Sequence, residues 1–427
     1  MAAEEMTNSD NSKNVREYSF EILYNVIFND KLLNNEIERV YQTYDISDND
    51  KSYIKKECTG VIENIESIDT IINEYSKVKT NKLKHEILIV FRISVYEILY
   101  LDKVPEYATI NEAVNIIKTK KCRNLSGYVN ATLKNIAKNK TKNKENNNNL
   151  NKYCYFKIVN NDDALTLNEL NNLHINYYPY DGKLLFKHTN IYYTDSYKNI
   201  INTNSFKNGN IIIQDASSAY LVDKLYDLIS EEYDSCQDEI KILDTCSSPG
   251  GKIISLYFLF NNDNRDGYFE ARDISEYKTN IISENIKRLK IKNMQVKAYD
   301  ATNYIKDDFE KYDIVLCDVP CSGTGVINKK PDIKLRINDS KTKSLKTIQQ
   351  NILNVSKNYV KLGGIISYST CTETKEENED NINEFMDKNP SFEKIYEKKI
   401  LSNDDNKADG FYMCFLKKIN EHKKLYN

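Results

Sequence analysis

The residues best suited to chemistry in this 427-residue chain are an aspartate and two cysteines at the ends of apolar runs. Asp318-Val319-Pro320-Cys321-Ser322-Gly323-Thr324-Gly325 follows Ile314-Val315-Leu316. Cys371 closes Ile365-Ile366-Ser367-Tyr368-Ser369-Thr370-Cys371, fifty residues after Cys321. Small residues at a strand end let backbone and side chains approach a flat ligand closely. A thiolate there can form a covalent intermediate that divides one hard step into two, and a nearby carboxylic acid can hydrogen-bond or protonate the reacting group. Cys321, Cys371 and Asp318 offer these groups without histidine, of which the chain has only four. The plainer alternative is a pair of buried strand-end cysteines. Cys317, inside its apolar run, is expected to be packing. The nine cysteines form no CxxC pair and no histidine pair has ligand spacing, so no metal is expected.

A second motif, Asp244-Thr245-Cys246-Ser247-Ser248-Pro249-Gly250-Gly251-Lys252, joins the short apolar run Ile242-Leu243 to a helix expected after Gly251. Two glycines allow close backbone approach, and the helix start offers free N–H donors. Lys252 is followed by Ile253, so this is no phosphate-loop motif, and no GxGxxG is present. Asp273 ends the next expected strand and Asp300 the one after it, where a ribose and a base edge would lie. Acidic strand ends in this order suit a nucleoside-bearing cofactor without phosphates. Asp273 alone could equally cap the helix that follows.

These loops need a scaffold of alternating strands and helices. Strands are expected over 267–272, 294–299, 313–318, 364–370 and 410–417, with helices over 275–289, 344–362 and 377–388, which describes a doubly wound α/β domain. The first 140 residues instead show only helical periodicity. Apolar positions recur from Val15 to Val40 and from Leu83 to Leu101, and Thr109-Ile110-Asn111-Glu112 reads as a capping box with Thr109 as N-cap. Residues 141–154 are a polar linker without apolar anchors. Residues 155–235 read as a small α+β module for substrate positioning, and 236–427 as the α/β domain. Charged residues make up 29% and the net charge is −3, which excludes a globally basic nucleic-acid binder but not a local basic groove. No apolar stretch approaches the length of a membrane span and the amino terminus is unlike a signal peptide, so a cytoplasmic protein without membrane contact is expected.

Two resemblances join these parts. Ala108 to Val114 and Gly127-Tyr128-Val129-Asn130-Ala131-Thr132-Leu133 resemble the NusB-like RNA-binding fold. DTCSSPGGK, DVPCSGTG and YSTC in that order, with Gln214-Asp215-Ala216-Ser217-Ser218 before them, resemble the RsmB (Sun/Fmu) family of RNA cytosine-C5 methyltransferases. The departure is Ser247-Ser248, where that family usually has two alanines. The resemblance implies an all-α NusB-like bundle, a small α+β module and a Rossmann-like methyltransferase domain. It implies S-adenosyl-L-methionine held by Cys246, Ser247, Ser248, Pro249, Gly250, Gly251, Lys252, Asp273, Asp300 and Asp318. It makes Cys371 the nucleophile toward cytosine carbon 6 and Cys321 the helper in release. A Pro-Cys nucleophile, as in DNA cytosine methyltransferases, is the other assignment the residues allow.

The expected substrate is 16S ribosomal RNA and the expected state a monomer. A transfer-RNA cytosine-C5 methyltransferase and a non-catalytic RNA-binding assembly factor are the rival readings. Lys329, Lys330, Lys334 and Arg336, after the DVPC loop, are candidate phosphate contacts or a solvated face.

Overall fold

The computed structural model describes residues 14–139, 153–159, 163–195, 197–233, 239–402 and 407–420. The expected linker over 141–154 falls almost wholly outside these. The chain divides into two units, Met1–Asn149 with Lys330–Arg336, and Leu150–Lys329 with Ile337–Asn427.

The first unit is helical: α1 (Val15–Phe28), α2 (Leu33–Thr43), α3 (Asp48–Glu63), α4 (Ile65–Tyr75), α5 (His85–Tyr100), α6 (Glu106–Thr119) and α7 (Ser126–Lys138). Helix α5 is buried on every side from Ile87 to Leu99, and α1, α3, α4, α6 and α7 pack on it. A helix apolar all round can only be a central one. The periodicity read from Val15 to Val40 belongs to two helices, since the chain turns between Phe28 and Leu33. Thr109 is not an N-cap. Pro105 starts α6 one turn earlier with φ −66°, so Thr109 is interior and buried, and Glu112 accepts a hydrogen bond from Asn14.

The second unit is built on a seven-stranded sheet in the order β10-β11-β9-β8-β5-β6-β7. Its strands are β5 (Ile240–Asp244), β6 (Gly267–Asp273), β7 (Met294–Ala298), β8 (Tyr312–Asp318), β9 (Val360–Thr370), β10 (Phe392–Ile400) and β11 (Phe411–Lys418). The five from β9 to β7 are parallel, and β11 and β10 extend them antiparallel. Strand alternation sends Ile242, Ile314 and Leu316 to one core and Leu243, Val315 and Cys317 to the other, so both faces are covered. Helices α11 (Ala216–Glu232), α12 (Gly251–Asn262), α13 (Glu276–Arg288), α14 (Asp339–Tyr359) and α15 (Glu379–Lys388) accompany the sheet. Strand order reverses beside β5, which puts the crevice of the fold at the carboxyl ends of β5 and β8.

A four-stranded sheet, β2-β3-β1-β4, uses β1 (Cys154–Ile158), β2 (Tyr178–Pro179), β3 (Tyr192–Thr194) and β4 (Ile211–Ile213). Tyr155, Tyr193 and Ile212 of this sheet share a core with Ile253 and Phe269, and it belongs to the same unit as the large sheet. Among the described residues no helix is long and apolar enough to cross a membrane.

Candidate active site

Strands β8 and β9 set the chemistry by register. Asp318 lies opposite Ser369, so the loops beyond them leave the sheet side by side. Val319 N donates to Ser369 O at 3.1 Å, and Gly325 N to Cys371 O at 3.0 Å. The Sγ atoms of Cys321 and Cys371 lie 3.3 Å apart. Ser322 Oγ and Thr324 Oγ1 are each 2.7 Å from Thr372 Oγ1 and close the seam. Gly323 turns the loop at φ +74°, where a Cβ is disfavoured. Gly325 lies so close to Gly410 that a Cβ would collide with the Gly410 carbonyl. Cys317 stays apart, fully buried with its thiol on Ser356.

Burial and charge both act on the Cys321 sulfur. Cys321 is pushed well above the usual thiol range, first by its hydrogen bond to Cys371, then by burial and the negative groups Glu377 and Asp318. Either thiol can donate in the 3.3 Å contact, and the two titrate as a pair. Asp318 accepts from Ser369 Oγ at 2.7 Å and from Lys252 Nζ at 2.5 Å. Asp244 is pushed up to about 7 by burial and by Asp318, with Lys252 pulling the other way. Asp244 was read only as the first residue of its loop. Its strand-end position, like that of Asp273, was the available signal.

The loop from Thr245 to Lys252 is fixed by its neighbours. Thr245 N donates to Leu316 O, Ser247 N to Arg272 O and Ser248 N to Asp273 Oδ2 at 2.9 Å. Gly250 has φ +98° at the start of α12, and a Cβ there would meet Ile254 at 2.8 Å. Ser255 Oγ donates to Gln214 Oε1 at 2.9 Å, so the QDASS motif braces α12 from behind. Cys246 is packed, with its thiol pushed far up by burial. Asp273 ends β6 and also accepts from Ile274 N, while Asp300, two residues past β7, caps its own turn through Thr302. Lys252 and Asp318 thus join the two loops, Cys321 meets Cys371, and Asp300 stays with its own turn. The only cation of the loop is neutralised by Asp318, so the donor set suits a nucleoside better than a phosphate.

Two of the four candidate phosphate contacts are engaged within the protein. Lys329 Nζ lies 2.6 Å from Asp215 and 2.9 Å from Asp409, and Arg336 pairs with Asp332 while donating to Lys31 O. Lys330 and Lys334 are exposed.

Residues 13–138 match the NusB family, and residues 234–417 match the family described as 16S rRNA methyltransferase RsmB/F. The chain is 26% identical to the probable ribosomal RNA small subunit methyltransferase B of Bacillus subtilis over 422 residues, covering 89% of each. It is 27% identical to ribosomal RNA small subunit methyltransferase B of Vibrio vulnificus, covering 95% of this chain and 99% of that one. The chain belongs to the RsmB/F methyltransferase family.

The resemblance read from the sequence therefore holds. Among solved structures, PH0851 is similar with a TM-score of 0.72 at 20% identity, covering 95% of this chain and 99% of that one. NSun6 from Pyrococcus horikoshii, solved with SFG, is similar with a TM-score of 0.51 at 16% identity, covering 72% and 97%. These two likenesses show the fold alone. Membership of the RsmB/F family implies S-adenosylmethionine as cofactor, and a phosphate-poor loop between acidic strand ends fits it.

Proposed function

We propose that this chain methylates carbon 5 of a cytosine in 16S ribosomal RNA through a covalent bond between Cys371 and carbon 6. The observation that carries the reading is the contact of two thiols, at 3.3 Å, beside the strand end that holds Asp318. Carbon 5 of cytosine is a poor nucleophile. Addition of a thiolate at carbon 6 saturates the 5,6 bond and makes carbon 5 enamine-like, which divides the reaction into two easier steps.

The division of roles is the one that the resemblance to the RsmB family implies. Cys371 attacks as the thiolate, with the Cys321 sulfur in contact at 3.3 Å. Asp318, oriented by Ser369 and Lys252, faces the cytosine N3, where electron density rises on attack. Cys246 to Lys252, Asp273, Asp300 and Asp318 hold S-adenosylmethionine, which when bound supplies an electrophilic methyl group. Afterwards the carbon 5 proton must leave and the carbon 6–sulfur bond must break. Cys321, beside Cys371, serves that release. The target base has to be out of its stack, in a single strand or flipped. The unit matching NusB holds the RNA in this reading.

The test uses two variants. Cys371→Ala is expected to lose methyl transfer while keeping S-adenosylmethionine binding, and retained activity would refute the nucleophile. Cys321→Ala is expected to accumulate a covalent protein–RNA adduct on denaturing gels. Bisulfite sequencing of ribosomal RNA with and without the gene then identifies the nucleotide.

A further inference from the structure

Two consecutive residues just before α15 reach back to both cysteine loops. Glu377 is fully buried. Its Oε2 accepts from Ser322 N and from Gln349 Nε2, each at 2.9 Å, and its Oε1 from Thr374 Oγ1 at 3.0 Å. The same Gln349 amide donates to Pro320 O at 2.9 Å. The residues on either side of Cys321 are thus held by one carboxylate–amide pair. Gln349 is itself fully buried, and its Oε1 accepts from Asn381.

Asn378 does the same for Cys371. Its Oδ1 accepts from Thr370 Oγ1 at 2.6 Å and its Nδ2 donates to Thr372 O at 2.9 Å. Asn378 occupies the N-cap position of α15, yet its side chain makes no cap hydrogen bond. Asparagine is among the best capping residues. Here that capacity is given up to hold the strand end carrying Cys371.

We infer that Glu377 and Asn378 are positioning residues that hold the two sulfurs in contact, Glu377 acting with Gln349 on Cys321 and Asn378 on Cys371. Glu377 has a second effect. Among the described residues no cation pairs with its carboxylate, and it is one of the groups that raise the Cys321 thiol. Cys371, Asp318 and Tyr368 also interact with that thiol, and Asp318 is in turn paired with Lys252. This inference builds on the covalent-cysteine reading proposed above, but its first test does not depend on it.

That first test is alkylation of the full-length protein by iodoacetamide from pH 6 to 10, with each cysteine quantified by peptide mass spectrometry. Cys371 is expected to react first in the unaltered protein. In Glu377→Gln, which keeps the shape and removes the charge, Cys321 is expected to react at lower pH, by about one unit. Methyl transfer by the same variant is expected to fall roughly tenfold in kcat with little change in KM for RNA, and its alkaline limb to move to lower pH. Gln349→Met, which keeps the volume and frees Pro320 O, should lower kcat without moving the limb. Thermal melting of each variant shows whether it is folded. Unchanged alkylation in both variants would overturn the positioning role, whatever the chemistry. Altered alkylation with unaltered methyl transfer would instead refute the covalent-cysteine reading.

Discussion

The ammonium of Lys252 lies 2.5 Å from the carboxylate of Asp318, which ties the first turn of α12 to the end of β8. Two loops that come from different strands are joined by that contact. Lys252→Met should leave Asp318 and the buried Asp244 facing each other without a cation. Asp244 already stands at about 7 because of burial and of Asp318, and Lys252 is what restrains it. Asp244 should then hold its proton to higher pH, so the acid limb of the methyl-transfer profile is expected to move upward. A hydrogen bond between charged groups contributes about 1.5–3 kcal/mol, so kcat/KM at neutral pH should fall roughly ten- to a hundredfold. Rates measured from pH 5.5 to 9 check this, and an unmoved acid limb counts against it.

Gly325 and Gly410 provide a steric test. Gly325 N donates to Cys371 O and Gly410 N donates to Gly325 O, so three segments meet with no room for a side chain. Gly325→Ala must displace the 410 segment or the Cys321 loop. The expected cost is about 1–3 kcal/mol, as for overpacking elsewhere. Denaturant unfolding gives the stability change, and adduct formation in a Cys321→Ala background shows whether Cys371 has also moved. Unchanged stability would mean that the loop yields easily.

Much of this site was readable because its chemistry sits where strand periodicity stops. Asp318, Cys371 and the 244–252 loop each follow an apolar run, and parallel pairing of β8 with β9 then brings residues fifty apart together. Glu377 was not readable. It lies in Thr374-Lys375-Glu376-Glu377-Asn378-Glu379, which has the composition of a solvated helix start, and only tertiary packing decides which glutamate is buried. Strand β10 was missed for a related reason, since Phe392 to Ile400 is rich in charge, as edge strands often are. Thr109 misled because a capping box is a local pattern, whereas Pro105 and the packing of α6 on α5 place the helix start. Lys329 looked like a phosphate contact because sequence could not show Asp215 and Asp409 converging on it.

A buried ion cluster braces β6. Arg272 of β6 is nearly inaccessible and bonds Glu270, Asp308 and the Tyr312 hydroxyl. Burial pushes Glu270 upward, but Lys297 and Arg272 overcome this and hold it at about 2. Arg272→Met would leave Glu270 with Lys297 and Asp308 with Lys311 as their remaining cations, so its cost should stay below the roughly 3–5 kcal/mol of breaking an unshared buried pair. The sign with pH is also fixed. A depressed carboxyl contributes stability that is present above its ordinary 4.5 and lost as pH falls toward 2. Melts of Glu270→Gln from pH 5 to 3 should therefore lose less stability than melts of the unaltered chain. Equal losses would remove Glu270 from the acid transition.

The helical unit should respond to pH in the opposite direction. Glu57 of α3 is fully buried, and its carboxyl is pushed well above 4.5 by burial first and by Glu97 second. Glu97 has Arg16 Nε at 2.7 Å and accepts from the Tyr53 hydroxyl, whereas no cation pairs with Glu57 among the described residues. Glu57 is thus the member of the pair that keeps the proton. A raised carboxyl contributes stability that is full below about 4.5 and is lost as pH climbs toward the folded-state value. Each unit of that rise corresponds to about 1.4 kcal/mol. Glu57→Gln keeps the size and the hydrogen-bonding capacity and removes the titration. Hydrogen exchange of amides in α3 and α5 of the full-length protein, compared at pH 5 and 8 after correction for intrinsic rates, reads out this unit. Protection in the unaltered chain should drop over that interval and stay nearly level in the variant. Parallel drops in both would show that Glu57 does not hold the proton.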